Sequence, residues 1–160
     1  MTRARYVYVA SSWRNDRQPI IVEELLGAGI ECYDFRHPEP GNEGFSWRQV
    51  GADVGHHGPG ITPKGEDLVD VDTYRRMLDH PRAVEGFDLD YAAMMRADAF
   101  VLILPCGRPA HHEHGWAVGA GKRTAILLEN PAEPELMYRM VDRLFVHSWE
   151  LVEWLAEGAR

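Results

Sequence analysis

The sequence predicts an α/β protein: a single domain over residues 1–160, built on a doubly wound parallel sheet of five strands with helices on both faces. Three observations lead to this fold class. Short apolar runs alternate with segments of helical spacing along the chain. Two of the runs, AFVLILPC (99–106) and RTAILLE (123–129), are typical of strands that are buried on both faces. A chain of 160 residues is also long enough to bury one proper core.

The first half of the chain contains two predicted strands and the helix that joins them. RYVYVA (5–10) ends in the polar loop SSWRND, and ECYDF (31–35) is the second strand. Residues 17–28 between them have helical spacing and end at glycine stop signals. The stretch from 37 to 65 is rich in Gly, Pro, His and Asn and has little periodicity. We therefore expect an irregular excursion over about 37–82, acting as a functional lid or a partly ordered segment.

The second half continues the alternation of helices and strands. Helical segments at DVDTYRRML and AVEGFDLDYAAMMRAD precede the strand at 99–106, and HEHGWAVGAG opens the helix that leaves this strand. After the strand at 123–129 we expect a helix at PELMYRMVD, a weak strand at LFVHS and a capped final helix at SWELVEWLAEG. Parallel strands joined by helices in this way predict a flavodoxin-like or Rossmann-like sheet.

Composition and charge argue against several classes of protein. The formal net charge of -8 argues against binding a nucleic-acid polymer, which needs a basic face. We find no apolar run long enough to span a membrane and no signal peptide in MTRARYVYVASSW, so we expect a cytoplasmic protein. Cys32 and Cys106 are expected to be buried thiols rather than a disulfide.

The loops that follow the strands are the expected place for a ligand. In parallel α/β sheets, ligands bind beyond the carboxyl ends of the strands. Three loops should lie there: SSWRN (11–15), RHPEPGNEGFSW (36–47) and CGRPAHHE (106–113). Each contains an arginine and at least one further polar or aromatic residue, and this concentration predicts a binding edge.

The histidine-rich stretch HHEH (111–114) is the densest polar segment of the chain. Adjacent histidines do not share a helix face, and the HExxH spacing is absent, although His111 and His114 could face one ion. We expect no metal and no other cofactor, and we interpret the histidines as surface or capping residues.

Glu113 in the same stretch is a candidate catalytic group. We expect it in the first turn of a helix, whose N-terminus favours an ionised carboxylate. It is then either a nucleophile at the ligand-binding edge or a glutamate that only stabilises the helix. Small residues would let this helix lie close to the sheet: Gly115, Ala117, Gly119 and Ala120.

A second carboxylate, Asp90, is expected at the edge of the inward face of the helix at 83–98. The predicted apolar stripe of this helix is Phe87, Tyr91, Met94 and Met95. An inward carboxylate costs on the order of several kcal/mol unless it is paired or used. Asp98, just before a strand, is more typical of a turn or capping residue.

The chain resembles the nucleoside 2-deoxyribosyltransferase superfamily, which also includes 2-deoxynucleoside 5-phosphate N-hydrolases. The resemblance is carried, in order, by YVYVASSW, FDLDYAAMMRADAFVLILP and HHEHGWAVGAGKRTAILL, with a gap at 37–82. In that family an aspartate on the middle helix precedes an apolar strand, and a helix of the form E-L-G-Y-A…G-K follows. Similar sequences are also labelled Toll/interleukin-receptor-like, because that fold too uses a glutamate against an N-glycosidic bond.

The resemblance implies roles for individual residues. Glu113 takes the position of the nucleophile and Asp90 that of the carboxylate that contacts the base. Trp116 takes the place of a usual tyrosine, and Lys122 that of the lysine that ends the helix. At Gly107 the chain departs from the family, which has an aspartate there in the transferases and a serine in the N-hydrolases.

The expected chemistry is cleavage of an N-glycosidic bond through an oxocarbenium-like state. A carboxylate below the sugar captures or stabilises that state, and a second acid protonates or orients the leaving base. Water then completes hydrolysis, or a second base completes transfer. Because a guanidinium binds phosphate with two hydrogen bonds, Arg14 and Arg108 favour a phosphorylated ligand. The predicted substrate-binding residues are Ser11, Ser12, Trp13, Arg14, Phe45, Trp47, Gly107, Arg108 and Trp116.

Two alternatives to this function stay open on the sequence. One is a Toll/interleukin-receptor-like NAD glycohydrolase that uses the same Glu113, and the other is a nucleotide-binding sensor without turnover. The expected partner is a small nucleotide or nucleoside. We also expect a homodimer or a larger closed homo-oligomer, since the family builds its pockets near subunit interfaces.

Overall fold

The fold is a parallel five-stranded sheet with helices, seen in a computed structural model that describes residues 4–53 and 69–157. The strand order is β2-β1-β3-β4-β5, and each neighbouring pair is parallel. The strands are β1 (Tyr6–Ala10), β2 (Glu31–Tyr33), β3 (Ala99–Ile103), β4 (Arg123–Leu127) and β5 (Arg143–Phe145). The predicted doubly wound parallel sheet is confirmed. The strand order reverses between β1 and β3, where ligands bind in such sheets.

The helices of the described ranges follow the predicted order with two differences. They are α1 (Arg17–Gly27), α2 (Trp47–Asp53), α3 (Val71–Leu78), α4 (Pro81–Arg96), α5 (Arg108–Gly119) and α6 (Ser148–Ala156). The short helix α2 was not predicted, and the helix expected at 134–142 is a 3-10 helix over Leu136–Met140. In the described ranges, no helix combines the length and apolar character that crossing a membrane requires.

Both faces of the sheet carry a buried core. Alternate residues of a strand point to opposite faces. One face, which includes Val7 and Val101, packs against α1 and α6, and the other, which includes Tyr8 and Phe100, packs against α5 and the end of α4. Because β3 is covered on both sides, all five of its residues are buried, which explains its continuous apolar sequence. The predicted placement of helices on both faces is confirmed.

The described chain groups into two compact units. The first, here called the sheet unit, comprises Met1–Phe35 and Ala92–Arg160, and the second, the insert unit, comprises Arg36–Tyr91. The insert unit has a small core of its own, formed by Val50, Met77 and Ala83 with Phe45 and Val69 packed against it. Within the excursion expected at about 37–82, the helix predicted at 70–78 is present as α3, and the short helix α2 is additional. Residues 54–68 lie outside the described ranges. That the whole chain is one domain stays a prediction.

The predicted inward face of α4 is wrong for most of its members. Phe87 is 61% exposed and Tyr91 is 40% exposed, with their rings stacked on each other. The end of α4 instead buries Met94 between two alanines, Ala93 and Ala97, against the sheet. Small side chains let this end of the helix approach the sheet closely.

Candidate active site

Asn15 holds the loop after β1 against the loop after β3. Its side chain is buried, with the residue only 4% exposed. The Nδ2 group donates to Ser11 Oγ at 3.0 Å, to the Pro105 carbonyl at 3.1 Å and to the Ile103 carbonyl at 3.3 Å. Its Oδ1 accepts from the backbone N–H of Arg17 at 3.0 Å, which satisfies a donor at the start of α1. One amide thus fixes both loops that flank the reversal of strand order.

The predicted binding residues of the β1 loop occupy different environments. Ser11 donates its hydroxyl proton to the Ile103 carbonyl at 2.9 Å, so this proton is directed at the backbone rather than outward. Ser12 Oγ accepts from the backbone N–H of Arg14 at 3.2 Å. Arg14 is exposed, and Trp13 packs edge-on against Phe35 with ring centroids 5.3 Å apart. Their roles toward a substrate stay predictions.

An ion pair joins the start of α1 to the end of β4. Arg17 and Glu129 form a two-bonded pair, with Nε–Oε2 and Nη2–Oε1 distances of 2.6 Å. Donating these hydrogen bonds to the Glu129 carboxylate raises the pKa of Arg17 further above its ordinary value. Both side chains are partly buried, so the pair is a fixed part of this edge of the sheet.

Helix α5 begins at Arg108, four residues before the predicted opening at His112. A proline in the first turn suits a helix start, because the missing N–H has no partner there. Gly107 is the N-cap residue in an extended conformation, and a Cβ added there would meet Pro109 Cδ at 3.5 Å, an ordinary contact. Glu113 therefore lies in the second turn, and the expectation that it lies in the first turn, at the positive end of the helix dipole, is wrong.

Glu113 is half-buried on the flank of α5, next to the face that packs on the sheet. Burial, and after it the charge of Glu113, raises the pKa of the Cys106 thiol to about 12. The negative charge of Glu113 is therefore felt at the sulfur of Cys106, in the loop after β3. Trp116, one turn further along α5, is half-buried and packs against Phe100 with centroids 5.9 Å apart.

The contacts of α5 with the sheet differ from those expected. Its buried residues are Ala110, His114 and Ala117, whereas a Cβ added at Gly115 or Gly119 would meet nothing within 4 Å. These two glycines therefore do not mediate the close approach to the sheet, and neither does Ala120, which is exposed after the helix end. The close approach is made by Ala110 and by Ala117, and Ala117 was one of the residues expected there.

The histidines of the HHEH stretch have separate structural roles. His114 is 4% exposed, so interpreting it as a surface residue is wrong, and its Nε2 lies 3.1 Å from the Ala125 carbonyl. His111 Nδ1 lies 2.9 Å from the Gly107 carbonyl, and Nε2 lies 2.8 Å from Tyr138 Oη. Because a carbonyl only accepts, Nδ1 of a neutral His111 donates and Tyr138 donates to Nε2. In residues 4–53 and 69–157 no group of three or more His, Cys, Asp or Glu is arranged to hold a metal ion.

Three predicted site residues belong to the insert unit. Phe45 and Trp47 touch edge to face, with ring centroids 4.8 Å apart. Phe45 lies directly on Gly86, where an added Cβ would come within 3.0 Å of its ring base, so this contact requires a glycine. Asp90 is half-buried. The other predicted site residues belong to the sheet unit, where Ser11–Arg14 and Gly107–Glu113 follow neighbouring strands β1 and β3.

The sequence interpretation missed several polar residues at this edge. Besides Asn15 and the Arg17–Glu129 pair, Gln18 is completely buried and donates through Nε2 to Asp34 Oδ1 at 2.8 Å. A helical wheel could have found Gln18, since it precedes the buried Ile21 by three residues on the inward face of α1. The tertiary partners of Asn15 and Glu129 had no signal in local spacing.

Two solved structures share this fold. The CMP N-glycosidase BcmB of Clostridium botulinum is 16% identical, with a TM-score of 0.50 over 94% of this chain and 97% of that chain. The 2-deoxyribosyltransferase of Bacillus psychrosaccharolyticus is also 16% identical, with a TM-score of 0.51 over 92% of this chain and 90% of that chain. No protein-family model and no curated protein matches the sequence. At this identity the likeness shows a shared fold.

Proposed function

We propose that this protein is an N-glycosidase that cleaves the bond between the sugar and the base of a nucleotide or nucleoside, by hydrolysis or by transfer. The observation that carries the proposal is a half-buried carboxylate, Glu113, close to the loop after β3 at the reversal of strand order. The fold shared with an N-glycosidase and a deoxyribosyltransferase supports the same class of reaction.

In the proposed mechanism Glu113 is the nucleophile. Its carboxylate attacks C1′ of the sugar as the C1′–N bond breaks, and the bonding electrons leave with the base. Asp90 of the insert unit is the proposed acid that protonates or orients the leaving nitrogen. Water, or a second base, then attacks C1′ and releases the carboxylate. No step in this sequence needs a metal ion.

The proposed ligand carries a phosphate, held between the two loops that Asn15 joins. Arg14 and Arg108 are exposed on these loops and supply positive charge. The N-terminus of α5, which follows Gly107, adds backbone donors and a favourable dipole. Ser11 and Ser12 are the proposed hydroxyl contacts, and the proton of Ser11 is directed at the Ile103 carbonyl.

We further propose that Trp13, Phe45 and Trp47 contribute to stacking on the base, and that the enzyme is a homodimer or a larger closed assembly. The assembly is supported by exposed apolar side chains on one stripe of α4, at Val84, Phe87 and Tyr91. A contiguous exposed apolar face of this kind marks interaction surfaces.

A substrate panel tests the function. Nucleoside 5′-monophosphates, nucleosides and NAD are incubated separately with the protein, and free base is quantified by chromatography. We expect base release from a monophosphate, with slower release from the matching nucleoside. Release from NAD alone would instead favour a glycohydrolase of the Toll/interleukin-receptor type. Binding of a nucleotide without release from any compound would mark a sensor.

A further inference from the structure

Gln18 is a completely buried amide that donates a hydrogen bond to the half-buried carboxylate of Asp34. Gln18 is 0% exposed, and its Nε2 donates to Asp34 Oδ1 at 2.8 Å. Its Oε1 is buried as well and has no hydrogen-bond partner in the described structure. Rotating the amide would point its oxygen at the carboxylate, so the contact with Asp34 fixes the orientation in which Oε1 is left unpaired.

The buried amide of Gln18 is costly at a position that suits an apolar residue. Gln18 lies on the face of α1 that also buries Ile21, Val22 and Leu25. A buried oxygen without a partner destabilises the folded state, whereas methionine would fill similar space without that cost. An unsatisfied polar group in a core calls for a functional explanation, and here the amide has one described partner, the carboxylate of Asp34.

Asp34 lies at the edge of the sheet where the substrate is proposed to bind. It is the residue after β2, which neighbours β1 in the sheet. The next residue, Phe35, packs against Trp13 of the β1 loop, with ring centroids 5.3 Å apart. In doubly wound sheets that bind dinucleotides, an acidic residue about 20 residues after the phosphate-binding turn accepts a hydrogen bond from the ribose 2′-hydroxyl. An ionised carboxylate can only accept, so it suits a pair of hydroxyl donors.

We propose that Asp34, oriented by Gln18, binds the 2′- and 3′-hydroxyls of the substrate sugar, so that the protein selects ribose over 2-deoxyribose. Asp34 is the specificity-determining residue, and Gln18 is its positioning residue. This inference rests on the proposed function and deepens it, because it names the sugar of the substrate.

The experiment compares ribose and 2-deoxyribose forms of the same nucleoside monophosphate in the wild type, Asp34→Asn and Gln18→Met. Asp16→Asn is the matched control, because it removes the same charge from the β1 loop of the sheet unit at an exposed position. Initial rates of base release give kcat/KM for each sugar. Calorimetry with ribose 5-phosphate and 2-deoxyribose 5-phosphate gives the dissociation constant for each sugar. The ratio of these two constants measures the preference for ribose without requiring turnover.

We expect the wild type and Asp16→Asn to prefer ribose, and Asp34→Asn to lower that preference by about tenfold to a hundredfold, the range for a lost hydrogen bond to a charged group. Gln18→Met should lower the preference while leaving the melting temperature unchanged or higher. An unchanged sugar ratio in Asp34→Asn, with base release intact, would overturn this inference and leave the proposed function standing. A Gln18→Met protein that only melts earlier, with the ratio unchanged, would show that the pair is structural.

If the wild type releases no base from any nucleotide or nucleoside, the proposed function fails, and the calorimetric ratio alone decides the role of Asp34. Equal dissociation constants for the two sugar phosphates in the wild type would then overturn the inference too.

Discussion

Acid should destabilise this protein through one buried histidine. His114 is 4% exposed, and burial lowers its pKa from 6.5 to about 4. The unfolded chain therefore takes up a proton on His114 near pH 6.5, whereas the folded protein does so only near pH 4. Between these values the unfolded state binds more protons, so the stability of the fold decreases as the pH falls through this window.

The size of the effect follows from the shift. Each pKa unit corresponds to about 1.4 kcal/mol, so a decrease from 6.5 to about 4 amounts to roughly 3 kcal/mol well below pH 4. At pH 5 His114 of the unfolded chain is almost fully charged and that of the folded protein is mostly neutral. The loss relative to pH 7.5 is then about 2 kcal/mol.

The assay is urea unfolding followed by tryptophan fluorescence at pH 7.5 and pH 5. His114→Gln keeps an amide donor for the Ala125 carbonyl and cannot titrate, and His112→Gln is the control at an exposed position. We expect the wild type and His112→Gln to lose about 2 kcal/mol more than His114→Gln between the two pH values. Equal losses in all three proteins would refute the assignment of a buried, neutral His114.

Three further substitutions test the site. Asp90→Asn should lower the turnover number while changing the melting temperature little. A lower melting temperature with an unchanged turnover number would mark Asp90 as structural. Asn15→Asp replaces the Nδ2 donor with a carboxylate facing the Ile103 and Pro105 carbonyls. It should lower the free energy of unfolding by about 3 kcal/mol in urea titrations, and an unchanged value would contradict the coupling of the two loops. Gly107→Asp has room, since the nearest contact of its Cβ would be 3.5 Å, and it adds a helix cap. Its melting temperature should be unchanged or higher, while KM should rise more for a monophosphate than for the nucleoside; an equal rise for both would argue against phosphate at this helix end.

The sheet could be predicted from the sequence because its signal is local. The central strand β3 is apolar at every position and β4 is apolar from Ala125 onward, as buried parallel strands require, and the segments between strands have helical spacing. The end of β3 was predicted three residues too late, since the apolar run continues through Leu104 although strand pairing stops at Ile103.

The parts of the site that could not be predicted depend on contacts between distant residues. The inward face of α4 was assigned from its largest apolar side chains, but Ala93 and Ala97 pack closer to the sheet. The start of α5 was placed after its proline, which put Glu113 one turn too early. Asn15 joins residues that are 88 and 90 positions away, and local periodicity carries no trace of such a contact.

The central claim, that Glu113 performs N-glycosidic cleavage, is tested most directly by comparing base release from a nucleoside monophosphate in the wild type, Glu113→Gln and Glu133→Gln. Glu133 is an exposed glutamate that serves as the matched control. We predict equal rates for the wild type and Glu133→Gln, and a loss of about a thousandfold or more for Glu113→Gln, with a melting temperature close to that of the wild type. Base release by Glu113→Gln at a rate near that of the wild type would contradict the account.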